Sequence, residues 1–266
     1  MVKLDLDNLS DYFDVIIQDE IHKAVKNLAT TESILSKLIT PYRFGLTASP
    51  PETEEQTMIM YGLIGDIIEE VTMKEAKEKG LLAEPTVKLI PIPKCKKTIN
   101  LKTYHDIHKT AIIEYDLRNK IIADTAIEMV DNGNSVVIFV NELDHGERIY
   151  DLLVSDCNHS VVYLNGSSTV DERMNTKKNL NNKNIDLCVS SIGKCGFNIP
   201  DLDCVMLADI GKSKIELIQQ SARSLTKSDN KDVGYIVEFI DEERYISEHF
   251  AKRMKFYVEH GFKIIT

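Results

Sequence analysis

Residues 13–23 read Phe-Asp-Val-Ile-Ile-Gln-Asp-Glu-Ile-His-Lys, a short apolar run that ends in Asp19-Glu20-Ile21-His22. Val15-Ile16-Ile17 is β-branched throughout, which predicts a strand buried on both faces rather than one that alternates apolar and polar. Paired acids at the end of such a strand form a Walker B arrangement, in which one carboxylate holds Mg²⁺ on a nucleotide. The neighbouring Glu can then orient an attacking water as a general base. Taken alone, the tetrapeptide is equally compatible with an acidic loop that follows a buried strand.

The same strand signal recurs along the chain, at Val136–Val140, Val161–Tyr163, Asp186–Val189, Cys204–Leu207 and Tyr235–Phe239. Between these runs lie helical patterns. Asn119–Val130 places Ile121, Ile122, Ala126, Met129 and Val130 at helical spacing before Asp131-Asn132-Gly133-Asn134 ends it, and Leu143–Val154 carries Ile149, Leu152 and Leu153. Alternating strands and helices predict an α/β fold built on parallel strands. Pro91-Ile92-Pro93, followed by Lys94-Cys95-Lys96-Lys97, reads as a surface linker after a first part. The expected division is residues 1–93, a linker over 94–109, and a second domain over 110–266.

Composition narrows the class. The chain has 266 residues, 43% hydrophobic and 28% charged, with a formal net charge of −10. That mixture can bury a core and excludes a disordered tail, a collagenous chain and a small disulfide scaffold. No apolar run reaches the roughly 18 residues of a membrane span, and the first ten residues lack the apolar stretch of a signal peptide. Cys95, Cys157, Cys188, Cys195 and Cys204 are odd in number and have no zinc-like spacing. The expectation is a soluble, intracellular protein with reduced thiols and no membrane partner. Cys188 and Cys204 fall in strand patterns and read as core residues. His105, His108, His145, His159 and His260 show no spacing that suggests metal or catalysis.

A second signal follows the first: Arg43-Phe44-Gly45-Leu46-Thr47-Ala48-Ser49-Pro50. D-E-x-H followed by G-L-T-A-[ST]-P resembles motifs II and III of superfamily 2 helicases. Tyr61–Gly65 and Ala76–Pro85 are similar to the end of the first motor lobe in the XPB-type and UvsW-type branch. Asn165-Gly166 with Asp171-Glu172-Arg173 resembles a second-lobe segment, Val189–Pro200 resembles motif V, and Gln219–Thr226 occupies the place of motif VI. His249, Arg253, Tyr257 and Gly261-Phe262 are similar to the family's terminal helix and tail. The resemblance runs in order along nearly the whole chain and implies RecA-like lobes with parallel sheets, the first truncated and the second complete.

The resemblance implies ATP and Mg²⁺ as cofactors and nucleic acid as partner, DNA ahead of RNA. It casts Asp19 and Glu20 as metal-binding, Glu20 as the residue that positions water, and His22 as a link to Gln219. Gly196, Asn198, Gln219 and Arg223 would bind ATP, with Arg223 reaching its phosphates. Thr47, Ala48 and Ser49 would couple nucleotide state to movement. Asn165, Gly166, Ser190 and Ser191 would face the nucleic-acid backbone, as would Lys212 and Lys214, for which a solvated surface loop is the competing reading.

Two departures stand against that pattern. No Gly-x-x-x-x-Gly-Lys-[Ser/Thr] occurs in the 266 residues; in the family it lies upstream of D-E-x-H, in sequence that would precede Met1. Motif VI carries Ala222 for the family's glycine and Thr226 for its final arginine, with Lys227 one residue out of register. Cys195, where many relatives have a polar or acidic residue, is a smaller departure. The expectation is therefore a helicase-family ATPase, as subunit or fragment, with little or no turnover by this chain alone. A separate polypeptide, or sequence outside the 266 residues, would supply the phosphate loop. The alternative is a non-catalytic nucleic-acid-binding or regulatory module derived from a helicase.

Overall fold

A computed structural model describes residues 12–48, 50–51, 53–192, 199, 202–209 and 231–266. The chain divides into two compact units, residues 1–71 and 72–266.

In the first unit, strand β1 (Val15–Gln18) pairs in parallel with β2 (Tyr42–Gly45), Val15 opposite Tyr42 and Ile17 opposite Phe44. Helices α1 (His22–Lys26) and α2 (Leu28–Leu35) connect the two strands, and α3 (Glu54–Ile64) follows them. Ile21, Ala24 and Met60 form a small core between α1 and α3. The Arg43 guanidinium donates to the Leu35 and Leu38 carbonyls at 2.9 Å each, satisfying acceptors that the end of α2 leaves open. The face of this sheet formed by Val15, Ile17, Tyr42 and Phe44 is uncovered within the unit, each side chain at least 38% exposed.

The second unit is built on seven strands. They are β3 (Glu84–Pro91), β4 (Val136–Phe139), β5 (Val161–Leu164), β6 (Leu187–Ser190), β7 (Cys204–Leu207), β8 (Val233–Ile240) and β9 (Lys263–Ile265). Their spatial order is β5-β6-β4-β7-β8-β3-β9, and every neighbouring pair is parallel. The connections include α4 (Met73–Glu78), α5 (Tyr104–His108), α6 (Asp116–Asp131), α7 (Leu143–Asp156), α8 (Val170–Asn181) and α9 (Ile246–Glu259). Val136 and Ile138 pack with Ile122, Ala126, Ile149 and Leu153 of α6 and α7. Val137 and Phe139 point the other way, to Leu180 of α8 and to Phe256 and Tyr257 of α9. The apolar runs of β4, β6 and β7 are thus strands with both faces covered, whereas Val15–Ile17, read from the sequence as buried on both faces, leaves Val15 and Ile17 exposed and β5 is half-buried. Cys188 and Cys204 lie in this core, and burial pushes both thiols well above their ordinary range.

The division does not fall after Pro93. Glu84–Pro91 is a strand of the second unit, paired along its length with β8. Its prolines are tolerated because β9 covers only Thr86–Lys88, so Pro85 and Pro91 lie where β3 has one neighbour. Residues 94–109 are also not a free linker. Cys95, Thr98 and Ile107 are buried, and the Cys95 amide donates to Glu243 Oε1 at 2.8 Å.

Arg253 and Tyr257, matched to a terminal helix by resemblance, bind that helix to the sheet. The Glu238 carboxylate, fully buried on β8, accepts from Arg253 Nε at 2.8 Å, Arg253 Nη2 at 2.9 Å and the Tyr257 hydroxyl at 2.8 Å. Removing one partner leaves a charge uncompensated in a low-dielectric interior. Arg253→Met is therefore expected to lower unfolding stability by about 3–5 kcal/mol in urea denaturation. A loss under about 1 kcal/mol would mean that Glu238 finds another partner or takes up a proton.

Candidate functional site

In the first unit, β1 delivers Asp19-Glu20-Ile21-His22 at its carboxyl end. The Ile21 amide donates to the Leu46 carbonyl at 3.0 Å, and the Leu46 amide donates to the Gln18 carbonyl at 2.9 Å. These two bonds hold the acidic turn against the segment that follows β2. Gly45 permits the approach: a Cβ there would come within 3.1 Å of the Ile21 side chain. Glu20 adopts a positive φ of 53°, uncommon for a non-glycine residue, and its amide donates to Asp19 Oδ1 at 2.8 Å. His22 is buried at 6% exposure, with Nδ1 2.8 Å from Thr47 Oγ1 and 3.2 Å from Glu20 Oε2. The structure thus brings Glu20, His22 and Thr47 together around one imidazole nitrogen, while Asp19 and Ala48 are exposed.

The donor set at the strand end suits a hard divalent cation. Mg²⁺ takes one or two carboxylates and completes its shell with water and phosphate oxygens. Asp19 Oδ1 is held by a backbone amide, which orients the group. Among the described residues no group of three or more His, Cys, Asp or Glu is arranged to hold a metal ion.

In the second unit, the parallel sheet sends every strand's carboxyl end to one edge. After β5, Asn165 Oδ1 accepts from the Ser167 amide at 3.0 Å and the Ser167 hydroxyl at 2.6 Å, and the Asn165 amide donates to Ser168 Oγ at 3.0 Å. Arg173 Nη2 donates to the Gly166 carbonyl at 3.2 Å. An open groove of about 400 Å³ lies beside this turn, lined by Asn165, Ser167, Ser168, Asn175 and Thr176 and also by Glu172, Val162, Tyr163 and Leu164. Hydroxyls and amides of this kind suit phosphate and sugar without reading sequence. Ser190 does not belong to such a surface. It is fully buried, and its hydroxyl accepts the Ile192 amide at 3.2 Å, because the last residue of an interior strand turns inward. Ser191 is half-buried, its amide donating to the Leu164 carbonyl at 3.0 Å.

Ser49, Gly196, Asn198, Lys212, Lys214, Gln219 and Arg223 lie outside the described residues, as does Thr226.

A polar network at the same edge had no counterpart in the sequence reading. His108 Nε2 meets Asp209 Oδ1 at 2.8 Å, and Arg118 binds Asp241 through Nε at 2.8 Å and Nη2 at 3.1 Å while also donating to the Ala208 carbonyl at 2.8 Å. Asn119 Nδ2 donates to the Ile113 carbonyl, so its Oδ1 faces His145 Nε2 at 3.1 Å. Burial, with the Arg118 charge beside it, pushes the His145 pKa down to about 3. His145 is therefore neutral, with its proton on Nε2, and its 4.0 Å approach to Asp209 Oδ2 is not an ion pair. Burial opposes ionisation of Asp209, yet the hydrogen bond and charge of His108 hold its carboxyl below the ordinary range. These partners lie as much as 123 residues apart, so no local spacing announces them.

Two family models match the chain: "Helicase conserved C-terminal domain" over residues 117–226 and "Type III restriction enzyme, res subunit" over residues 2–52. The chain is 29% identical over 237 residues to "ATP-dependent DNA helicase uvsW" of Enterobacteria phage T4, covering 86% of this chain and 46% of that protein. It is 25% identical over 267 residues to "Putative helicase 22" of Sulfolobus islandicus filamentous virus, covering 95% and 47%. It thus spans about half the length of these relatives. The crystal structure of T4 UvsW superposes with a TM-score of 0.56 at 20% identity, covering 99% of this chain and 55% of that one. No helix among the described residues is long and apolar enough to cross a membrane.

The neutral state of His145 makes stability depend on pH. The unfolded chain protonates this imidazole near 6.5 and the folded chain only near 3, so the unfolded state binds the extra proton between those values. The stability advantage of wild type over His145→Leu should shrink by up to about 1.4 kcal/mol per pH unit below 6.5. Urea midpoints from pH 7 to 4.5 test this. A constant difference would show that His145 titrates alike in both states.

Proposed function

The chain belongs to the superfamily 2 helicases of the UvsW-like branch, matches their C-terminal portion and has a RecA-like α/β fold, and we propose on that footing that it couples ATP hydrolysis to movement on, or remodelling of, DNA. The observation that carries this reading is the placement of His22 between Glu20 and Thr47. That contact ties the acidic strand end to the segment after β2 through a single side chain, so a change at either segment is felt at the other.

In this mechanism Asp19, with Glu20 beside it, would hold Mg²⁺, and the metal would supply charge neutralisation for the nucleotide phosphates. Glu20 accepts a proton from the attacking water and orients it. His22 fixes the Glu20 carboxylate and passes its position to Thr47. Gln219 and Arg223 complete the nucleotide site, with Arg223 placing a cation where charge develops in the transition state. Gly196 and Asn198 take part in holding ATP, and Ala48 and Ser49 belong with Thr47 in coupling. Asn165, Gly166 and Ser191 meet the DNA backbone, joined by Lys212 and Lys214.

No phosphate loop occurs in the 266 residues; on this reading residues outside them, on the same or a separate polypeptide, would supply it. The uncovered face of β1 and β2 supports this, because parallel sheets occur with both faces covered and two strands alone are marginal. A second reading, a non-catalytic nucleic-acid-binding module, is favoured by Thr226 in the place of the family's final motif VI arginine.

DNA-stimulated ATP hydrolysis separates the two. The 266-residue chain alone should show none, and adding a polypeptide that carries the strand, phosphate loop and helix should give turnover. DNA binding without turnover in both cases would establish the non-catalytic module. In the complemented enzyme, Glu20→Gln should lower kcat about 100-fold or more while nucleotide binding persists. Thr226→Arg should raise kcat at least tenfold, since an arginine at such a position contributes about three to five orders of magnitude. An unchanged rate would mean that another cation already serves the γ-phosphate.

A further inference from the structure

Residues 94–109 carry five lysines and one aspartate, in a chain whose net charge is −10. This is a cationic segment on an acidic protein, and the fold holds it in place. Ile92 extends the ladder beyond β3 by donating to the Ile240 carbonyl at 3.0 Å, so the segment leaves the sheet at its carboxyl edge. Asn165 and Ser191 emerge at that same edge, because all seven strands are parallel. Cys95 and Thr98 turn inward: the Cys95 amide binds the buried Glu243 carboxylate, and the Thr98 hydroxyl donates to the Cys95 carbonyl at 2.7 Å. Lys94, Lys96 and Lys97 consequently face solvent, as does Lys102. Among the described residues none of these four makes an ion pair. Tyr104, two residues on from Lys102, is 42% exposed, with its ring centroid 5.4 Å from His108 in a stacked arrangement, 5.7 Å from His249 and 6.3 Å from Tyr245. The Tyr245 hydroxyl donates to the Lys102 carbonyl at 3.4 Å, which ties the backbone at Lys102 to Tyr245.

We propose that this turn and the Tyr104 ring form a contact for single-stranded DNA, Lys94, Lys96, Lys97 and Lys102 meeting successive phosphates and Tyr104 stacking on a base. The inference rests on the helicase reading and adds to it a surface separate from Asn165 and Ser191. A cluster of exposed cations without ion pairs among the described residues fits a polyanion, and a partly exposed ring in the same segment fits a base rather than an acidic side chain. Because the turn is already ordered by Cys95, Thr98 and Glu243, the lysine backbones need no rearrangement on binding.

The test is fluorescence anisotropy of labelled oligo(dT) with the full chain, across a salt series. Combined Lys94→Ala, Lys96→Ala, Lys97→Ala and Lys102→Ala should weaken binding and reduce the log–log salt slope by up to about 3, at roughly 0.7 per single-strand phosphate. Tyr104→Ala should cost about fivefold or more, and Tyr104→Phe should restore affinity, since the ring and not the hydroxyl stacks. A matched loss of charge at the exposed Lys74, Lys79, Lys255 and Lys263 should have a much smaller effect. Equal weakening by both quadruple variants would overturn the proposal, leaving net charge as the explanation. Wild-type affinity in the segment variant, with loss in Asn165→Ala/Ser191→Ala, would overturn it while the helicase reading stands. Absence of oligo(dT) binding by wild type would overturn the proposed contact and count against the helicase reading as well. Tighter binding of oligo(U) than oligo(dT) would overturn the assignment to DNA.

Discussion

Parallel pairing of all seven strands of the larger unit is the constraint from which its other properties follow. A parallel sheet covered by helices has no wet face, so polar chemistry is confined to the strand ends. With every strand running the same way, those ends share one edge. Asn165, Ser191, Asp209, Asp241 and the basic turn after β3 are far apart in sequence and lie along one edge only because of this alignment. It also explains why Ser190, the last residue of an interior strand, is structural while Ser191, one residue on, is half-exposed.

Beneath that edge the fold holds charges that would be costly if unpaired. Arg118 is matched by Asp241, and Glu238 by Arg253 and Tyr257, with distances from 2.8 to 3.1 Å. His145 avoids the problem by staying neutral. Asp209, the last described residue before position 210, stays charged because His108 reaches it. The Arg118–Asp241 and His108–Asp209 pairs each join a helix to the residues just past a strand end, while Arg253–Glu238 joins α9 to the interior of β8. Their value lies more in fixing geometry than in net stability, since desolvation offsets much of the attraction of a buried pair.

The smaller unit follows a different logic. Among the described residues, two four-residue strands and a three-residue buried cluster are less than an independently stable sheet requires. Its order comes from specific bonds: Arg43 closing α2, Thr40 Oγ1 donating to the Asp14 carbonyl at 2.8 Å, and Ile21 and Leu46 joining the two strand ends. Those last bonds place Glu20, His22 and Thr47 within reach of one another. The acidic turn is thus built accurately by a unit that leaves one apolar face open.

The sequence by itself determined five of the seven described strands of the central sheet, because contiguous β-branched runs such as Val136–Val140 carry their burial in their composition. It also determined the acidic strand end, and the helices around Asn119–Val130 and Leu143–Val154, whose spacing is local. Only the tertiary structure decided that Glu84–Pro91 is a strand. Its prolines read as a break until β9 is seen to cover just three of its residues. Only the tertiary structure moved the division to residues 71 and 72, buried Ser190, and joined His108 to Asp209 across 101 residues. The physical reason is range. Hydrophobic pattern and turn chemistry act over a few residues and are written in order along the chain. Ladder partners, buried ion pairs and imidazole tautomers depend on which distant strand ends the register brings together.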